Sequence, residues 1–112
     1  MSDFGNRIRK LRKAKGHTLR SLALLVGVGF TYLSKIESGK LDFGDAPSAD
    51  LIVRLAEVLD ADADELLLMA GRIPEGIAAR IRECPNEFRL LASCENGELK
   101  RIASQLSSAS LA

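Results

Sequence analysis

Residues that could carry chemistry are few in this chain of 112 residues, and their spacing rules out more than it supports. The single histidine, His17, has no second imidazole and no cysteine close in sequence, so neither a nucleophilic dyad nor a zinc site can be assembled around it. Cys84 and Cys94 lack metal-ligand spacing and further partners, and are expected to be reduced thiols. Asp60, Asp62, Asp64 and Glu65 form a dense acidic string, but it lacks the glycine and the length of an EF-hand loop. Acids at the start of a helix are ordinary partners of its dipole. No glycine-rich loop is long enough to cradle a phosphate. No metal, no cofactor and no enzymatic activity are expected.

What remains is charge. The net value of +1 and the pI near 7.8 hide an asymmetry. Residues 1–40 hold nine Lys or Arg against Asp3 and Glu37, a net of +7, whereas residues 41–74 hold Arg54 and Arg72 against eight acids, a net of −6. Residues 75–112 balance at five of each. One end is therefore strongly basic, which suits a polyanionic partner. Exposed Lys and Arg on a helix are usually only solvation, so Lys10, Lys13 and Lys15 receive no contact role individually.

The elements that must position this charge follow from apolar spacing. With 46% hydrophobic residues, 4% aromatic and no Trp, the core should be aliphatic and the fold all-α. The stretch Thr18 to Lys40 reads as two short helices joined by a glycine-containing turn, a helix-turn-helix. Leu22, Ala23 and Val26 recur at helical spacing after Thr18, whose hydroxyl can cap the first turn. Gly27, Val28 and Gly29 break that helix, with Gly27 placed where φ > 0 turns the chain. A second repeat at Leu33 and Ile36, with Tyr32 beside them, stops at Gly39.

Before this motif, Phe4 to Lys15 is predicted as a first helix, with Ile8 and Leu11 inward, a cap from Asp3 or Ser2, and Gly16 at its end. After it comes a loop over 41–47, broken by Gly44 and Pro47, whose Leu41 and Phe43 pack back onto the core. Ser48 caps a fourth helix through about Leu59, with Leu51, Ile52, Leu55, Ala56 and Leu59 on one face, expected to cover the first three. Asp62 and Glu65 resemble a capping box for a fifth helix, Ala63 to Ala70, closed by Gly71. Further helices are predicted at about 75–83, 86–93 and 98–107, with corners at Pro85 and Gly97. Leu99, Ile102, Ala103 and Leu106 make a stripe on the last that must be buried against something.

Residues 4–73 resemble the lambda-repressor-like (Cro/Xre-type) helix-turn-helix family of bacterial and phage transcription regulators. The carriers are RIRKLRKAKG in the first helix, SLALLVGVGFTYLSKIESGK in the motif, and LIVRLAEVLDADADELLLMAG in the closing helices. The resemblance implies a five-helix DNA-binding domain over 1–73 with a short helical extension over 74–112, and it makes Phe30 to Ser38 the recognition helix, lying in the major groove. It puts Gly29, Phe30, Thr31, Ser34 and Lys35 at base edges, and Thr18, Arg20, Lys35 and Lys40 at phosphates. It also pairs Arg12 with Glu37 as a partly buried ion pair. Side-chain chemistry is compatible: Lys35 can donate to guanine O6 or N7, Thr31 can offer a hydroxyl or meet a thymine methyl, and Phe30 offers only apolar contact. The chain departs from the family pattern at Leu19, often a polar backbone-contacting residue, and at Asp42 and Asp45, where many relatives are basic.

The function expected is a sequence-specific transcriptional regulator, a repressor, binding double-stranded DNA at a pseudo-palindromic operator as a homodimer. Leu99, Ile102, Ala103 and Leu106 are the expected dimerisation residues, the alternative being a tail folded back over the fourth and fifth helices. A rival reading is an antitoxin or adaptor that keeps the scaffold but binds a protein partner. No apolar run approaches the roughly 20 residues of a membrane span and no signal-peptide core is present, so a soluble, cytoplasmic protein is expected.

Overall fold

Eight helices organise the described residues, 3–41 and 47–111, of the computed structural model, and no strand occurs among them. They are α1 (Asp3–Ala14), α2 (Leu19–Val26), α3 (Phe30–Ser38), α4 (Ala49–Leu59), α5 (Ala63–Met69), α6 (Glu75–Glu83), α7 (Pro85–Ala92) and α8 (Asn96–Leu111). The chain is all-α, as its composition requires. Ser2, Asp42, Phe43, Gly44 and Asp45, named in the sequence reading, lie outside the described residues. Asp3 stands in the first turn of α1 rather than before it.

Local chemistry fixes the ends of the helix-turn-helix. Thr18 Oγ1 accepts the amide of Ser21 at 3.0 Å, while Ser21 Oγ accepts the amide of Thr18 at 3.0 Å, a reciprocal box that satisfies two donors at the start of α2. Gly27 closes α2 at φ 74°, a conformation strained for any residue with a side chain. Gly39 closes α3 at φ 72°, donating to Ile36 O at 3.2 Å while Lys40 donates to Lys35 O at 2.9 Å. That pair of bonds is a Schellman motif, and it ends α3 where the glycine predicts.

The core is aliphatic apart from Phe4. Ile8, Leu22, Ala23, Val26, Leu33, Ile36 and the five-residue face of α4 are all buried, joined by Leu66 and Leu67 of α5, with Leu11, Tyr32 and Leu41 packed partly buried against them. At about 1.5–3 kcal/mol for each fully buried large aliphatic side chain, this burial dominates the stability of the five helices. Helix α4 packs on α5, α2 and α1, whereas α3 is held chiefly by α1 and α2. The apolar face of α4 shares one buried core with residues of α1, α2 and α3.

At Gly5, helices α1 and α3 approach backbone to backbone. A β-carbon at Gly5 would stand 2.4 Å from the carbonyl oxygen of Ile36 and 2.7 Å from that of Glu37, closer than real β-carbons come. At the other end of the domain Asp62 accepts the amides of Asp64 and Glu65 at 2.9 and 3.3 Å, but the box is not closed: the Glu65 carboxylate reaches Arg7 of α1 at 3.5 Å instead. Arg72 Nε donates to the Pro47 carbonyl at 2.9 Å, tying the exit from α5 to the approach of α4.

Met1–Pro74 and Glu75–Ala112 are separate compact units. In the second, α6 and α7 follow the predicted bounds closely, but α8 is longer than the 98–107 predicted, running from Asn96 to Leu111. Gly97 is therefore inside the first turn of α8 and makes no corner, because glycine loses little where the helix is only beginning. Pro85 occupies the first position of α7, where its missing N–H costs nothing. No residue of 75–109 is buried. Among the described residues no single helix is long and apolar enough to cross a membrane.

Candidate nucleic-acid interface

Helix α3 is amphipathic in a way that leaves one side free. Leu33, Ile36 and Glu37 are buried; Phe30, Thr31 and Lys35 are exposed, and Ser34 is half-buried between the two sides. Gly29 caps the helix without a side-chain bond and has open space where a β-carbon would be. The five residues expected at base edges thus share the N-terminal and outer part of one helix. Lys40, just beyond Gly39, is exposed as well.

The orientation of α3 is set from below by a buried charge pair. Arg12 Nε donates to Glu37 Oε2 at 2.7 Å and Arg12 Nη2 donates to Oε1 at 3.0 Å, a two-pronged contact between side chains only 11% and 6% exposed. The remaining prong, Nη1, donates to the backbone carbonyl of His17 at 3.0 Å. One guanidinium therefore fastens α1, the turn before α2, and the end of α3. His17 contributes through its carbonyl, which no reading of its side chain could find.

Thr18 and Arg20 sit on α2 and its cap. The Thr18 hydroxyl is engaged with Ser21, so what this region leaves to an anion is the start of the helix. Arg20 is exposed, but its guanidinium carbon lies 4.6 Å from the centroid of the Phe30 ring, a cation–π contact across the turn. Phe30 itself is 41% exposed. Leu19, the departure from the family pattern, packs half-buried against the core and so exchanges a polar contact for apolar burial.

Two further cations of the basic end pair with acids, one in α1 and one just beyond it. Arg7 meets Glu65, and Lys15 meets Asp60 at 3.6 Å, exposed pairs that each contribute about 0–1 kcal/mol and offset part of the basic end with the acids of α4 and α5. Among the described residues no group of three or more His, Cys, Asp or Glu could hold a metal ion.

In the second unit Ile81, Pro85, Phe88, Leu91, Ala92 and Leu99 line an open apolar hollow of about 670 Å³. Of the predicted stripe, Leu99 and Ile102 are half-buried while Ala103 and Leu106 are largely exposed. Cys94 Sγ donates to Leu90 O at 3.5 Å, and desolvation followed by the Glu98 carboxylate pushes its thiol above the ordinary range.

Comparison with known proteins decides the family. The chain matches the Helix-turn-helix family over residues 8–66, more than half its length. It belongs to the lambda-repressor-like helix-turn-helix regulators. Among similar proteins of Bacillus subtilis (strain 168), the HTH-type transcriptional repressor RghR is 34% identical over 103 residues, covering 92% of this chain and 73% of RghR. The uncharacterized HTH-type transcriptional regulator RghRB is 35% identical over 89 residues, 80% of this chain, and the match spans 61% of that relative's length. Among solved structures, the restriction-modification controller protein C.AhdI from Aeromonas hydrophila superposes with a TM-score of 0.51 at 37% identity, over 58% of this chain and 92% of C.AhdI. The family is one of transcriptional regulators and not of enzymes.

Proposed function

We propose that this helix-turn-helix protein is a transcriptional repressor that binds a pseudo-palindromic operator as a homodimer, with α3 in the major groove. The observation that carries the reading is the division of α3: an outer side of Thr31, Ser34 and Lys35, with Gly29 and Phe30 at its start, on a helix whose inner side is pinned through Glu37 to Arg12. Thr31, Ser34 and Lys35 face base edges. Phosphate anchoring falls to the start of α2 at Thr18, to Lys40, and to the positive charge of Arg20 and Lys35. The similarity to a repressor over 92% of the chain supports the sign of regulation.

Dimerisation is assigned to residues 75–112. A unit of this size in which no residue of 75–109 is buried cannot be stable on its own apolar contacts, since folds below roughly 40 residues need a partner, metal or disulfide. Pairing through Leu99, Ile102, Ala103 and Leu106 would complete a core and link two recognition helices, which an operator would present with half-sites about 34 Å apart, one turn of DNA. The apolar hollow of this unit also favours a second reading, in which a protein partner docks there as on an antitoxin or adaptor.

Selection of bound duplexes from a random pool tests the proposal, because it reports binding, half-site sequence and half-site spacing together. Enrichment of an inverted repeat, with affinity falling as salt rises, is the expected result. Failure to enrich any duplex would leave the protein-partner reading in its place.

A further inference from the structure

The contact between Arg20 and Phe30 joins a cation and an apolar surface at the start of the recognition helix. Phe30 is the first residue of α3 and remains 41% exposed although one face of its ring is covered by the Arg20 guanidinium at 4.6 Å. An isolated exposed arginine samples many rotamers, but stacking on an aromatic ring removes much of that freedom, and the planar fork keeps its in-plane N–H donors available at the edge. A stacked arginine is thus a positioned hydrogen-bond donor, whereas a phosphate contact needs only a charge within reach.

In the major groove the partners of these two groups are distinct and adjacent. The ring can gain only by apolar contact, and the apolar feature that bases present there is the 5-methyl group of thymine. The fork matches guanine O6 and N7. Ring and guanidinium lie 4.6 Å apart, somewhat more than the roughly 3.4 Å between successive base pairs, so the two groups together span about one base-pair step. A ring seated on one methyl therefore brings the fork to the neighbouring base pair.

We infer that Arg20 and Phe30 act as one reading unit for a two-base step, a 5-methyl pyrimidine next to guanine, with Arg20 a specificity determinant in addition to a source of charge. This inference rests on the proposal that α3 enters the major groove. It further implies that 5-methylcytosine is read as thymine at that step, since the two bases carry the same methyl group.

The test uses the full chain and the duplex recovered from the random pool. Replacing thymine by deoxyuridine at each position in turn removes one methyl and nothing else; one position should lower affinity about four-fold, the ratio that burial of a single methyl supports. At that position 5-methylcytosine paired with guanine should bind better than cytosine, and Phe30→Ala should erase both differences. Arg20→Lys, which keeps the charge and loses the fork, should relax preference for the adjacent guanine while leaving the salt slope unchanged. Uniform affinity across the deoxyuridine series, or an Arg20→Lys protein with unaltered base preference, overturns the inference and leaves DNA binding intact. A pool from which no duplex is recovered overturns the inference together with the proposal beneath it.

Discussion

Arg12 and Glu37 meet through two parallel hydrogen bonds of 2.7 and 3.0 Å, joining the first helix to the last turn of the recognition helix inside the protein. Removing one partner leaves the other charge buried without compensation, which costs about 3–5 kcal/mol against about 0–1 for an exposed pair. Glu37→Ala should therefore lower the melting temperature by at least about 10 °C in a domain of this size. A thermal melt of Glu37→Ala that overlays the parent protein would contradict the structural role given to the pair.

Gly5→Ala should destabilise the domain although alanine is the better helix former. The propensity gain is about 1 kcal/mol, but the new methyl would sit 2.4 and 2.7 Å from two backbone oxygens that cannot rotate away. A net loss of about 1–3 kcal/mol is expected in urea unfolding. Weaker DNA binding should accompany it, because α3 must shift to make room.

Lys40→Ala and Thr31→Ala should behave differently on DNA. Loss of a phosphate-contacting lysine weakens binding to all sequences and reduces the slope of log K against log salt by about one unit. Loss of the Thr31 hydroxyl and methyl should change which base is preferred. Titrations of both variants over a salt series, on the selected duplex and its single-base variants, separate the two roles; altered base preference in Lys40→Ala with none in Thr31→Ala would reverse them.

Ile102→Asp should yield a monomer. It places a charge on the half-buried part of the α8 stripe and leaves the core of the first five helices untouched. Sedimentation equilibrium at tens of micromolar checks this on the full chain, alongside a chain ending at Pro74. A monomeric parent protein, or a shortened chain that still dimerises, would remove the assignment of dimerisation to residues 75–112.

The helices of the first unit were legible because each signal was local: Thr18, Gly27, Gly39, Ser48 and Asp62 act within one turn, and the apolar face of α4 repeats at helical spacing. The less legible features are contacts between elements. Gly5, inside a helical pattern, offered one signal, a glycine with no turn to make, but what it touches lies more than thirty residues away. The Arg20–Phe30 stack spans the turn of the motif and depends on a rotamer, and the His17 carbonyl carries no side-chain signature. The far end of α8 ran past its prediction because the serines after Leu106 are weak breakers when nothing competes for the chain.

Backbone lies against backbone where Gly5 of α1 meets the end of α3, and beside it the Arg12–Glu37 pair fixes the same crossing from within the protein. Substitutions on its outer side leave that crossing as it is, and exchange of Thr31, Ser34 or Lys35 becomes a modular operation. Under the proposed binding mode, such exchanges should rewrite operator preference one base contact at a time, with the scaffold holding alignment constant, which would make the protein a starting point for redirecting a regulator to a new site.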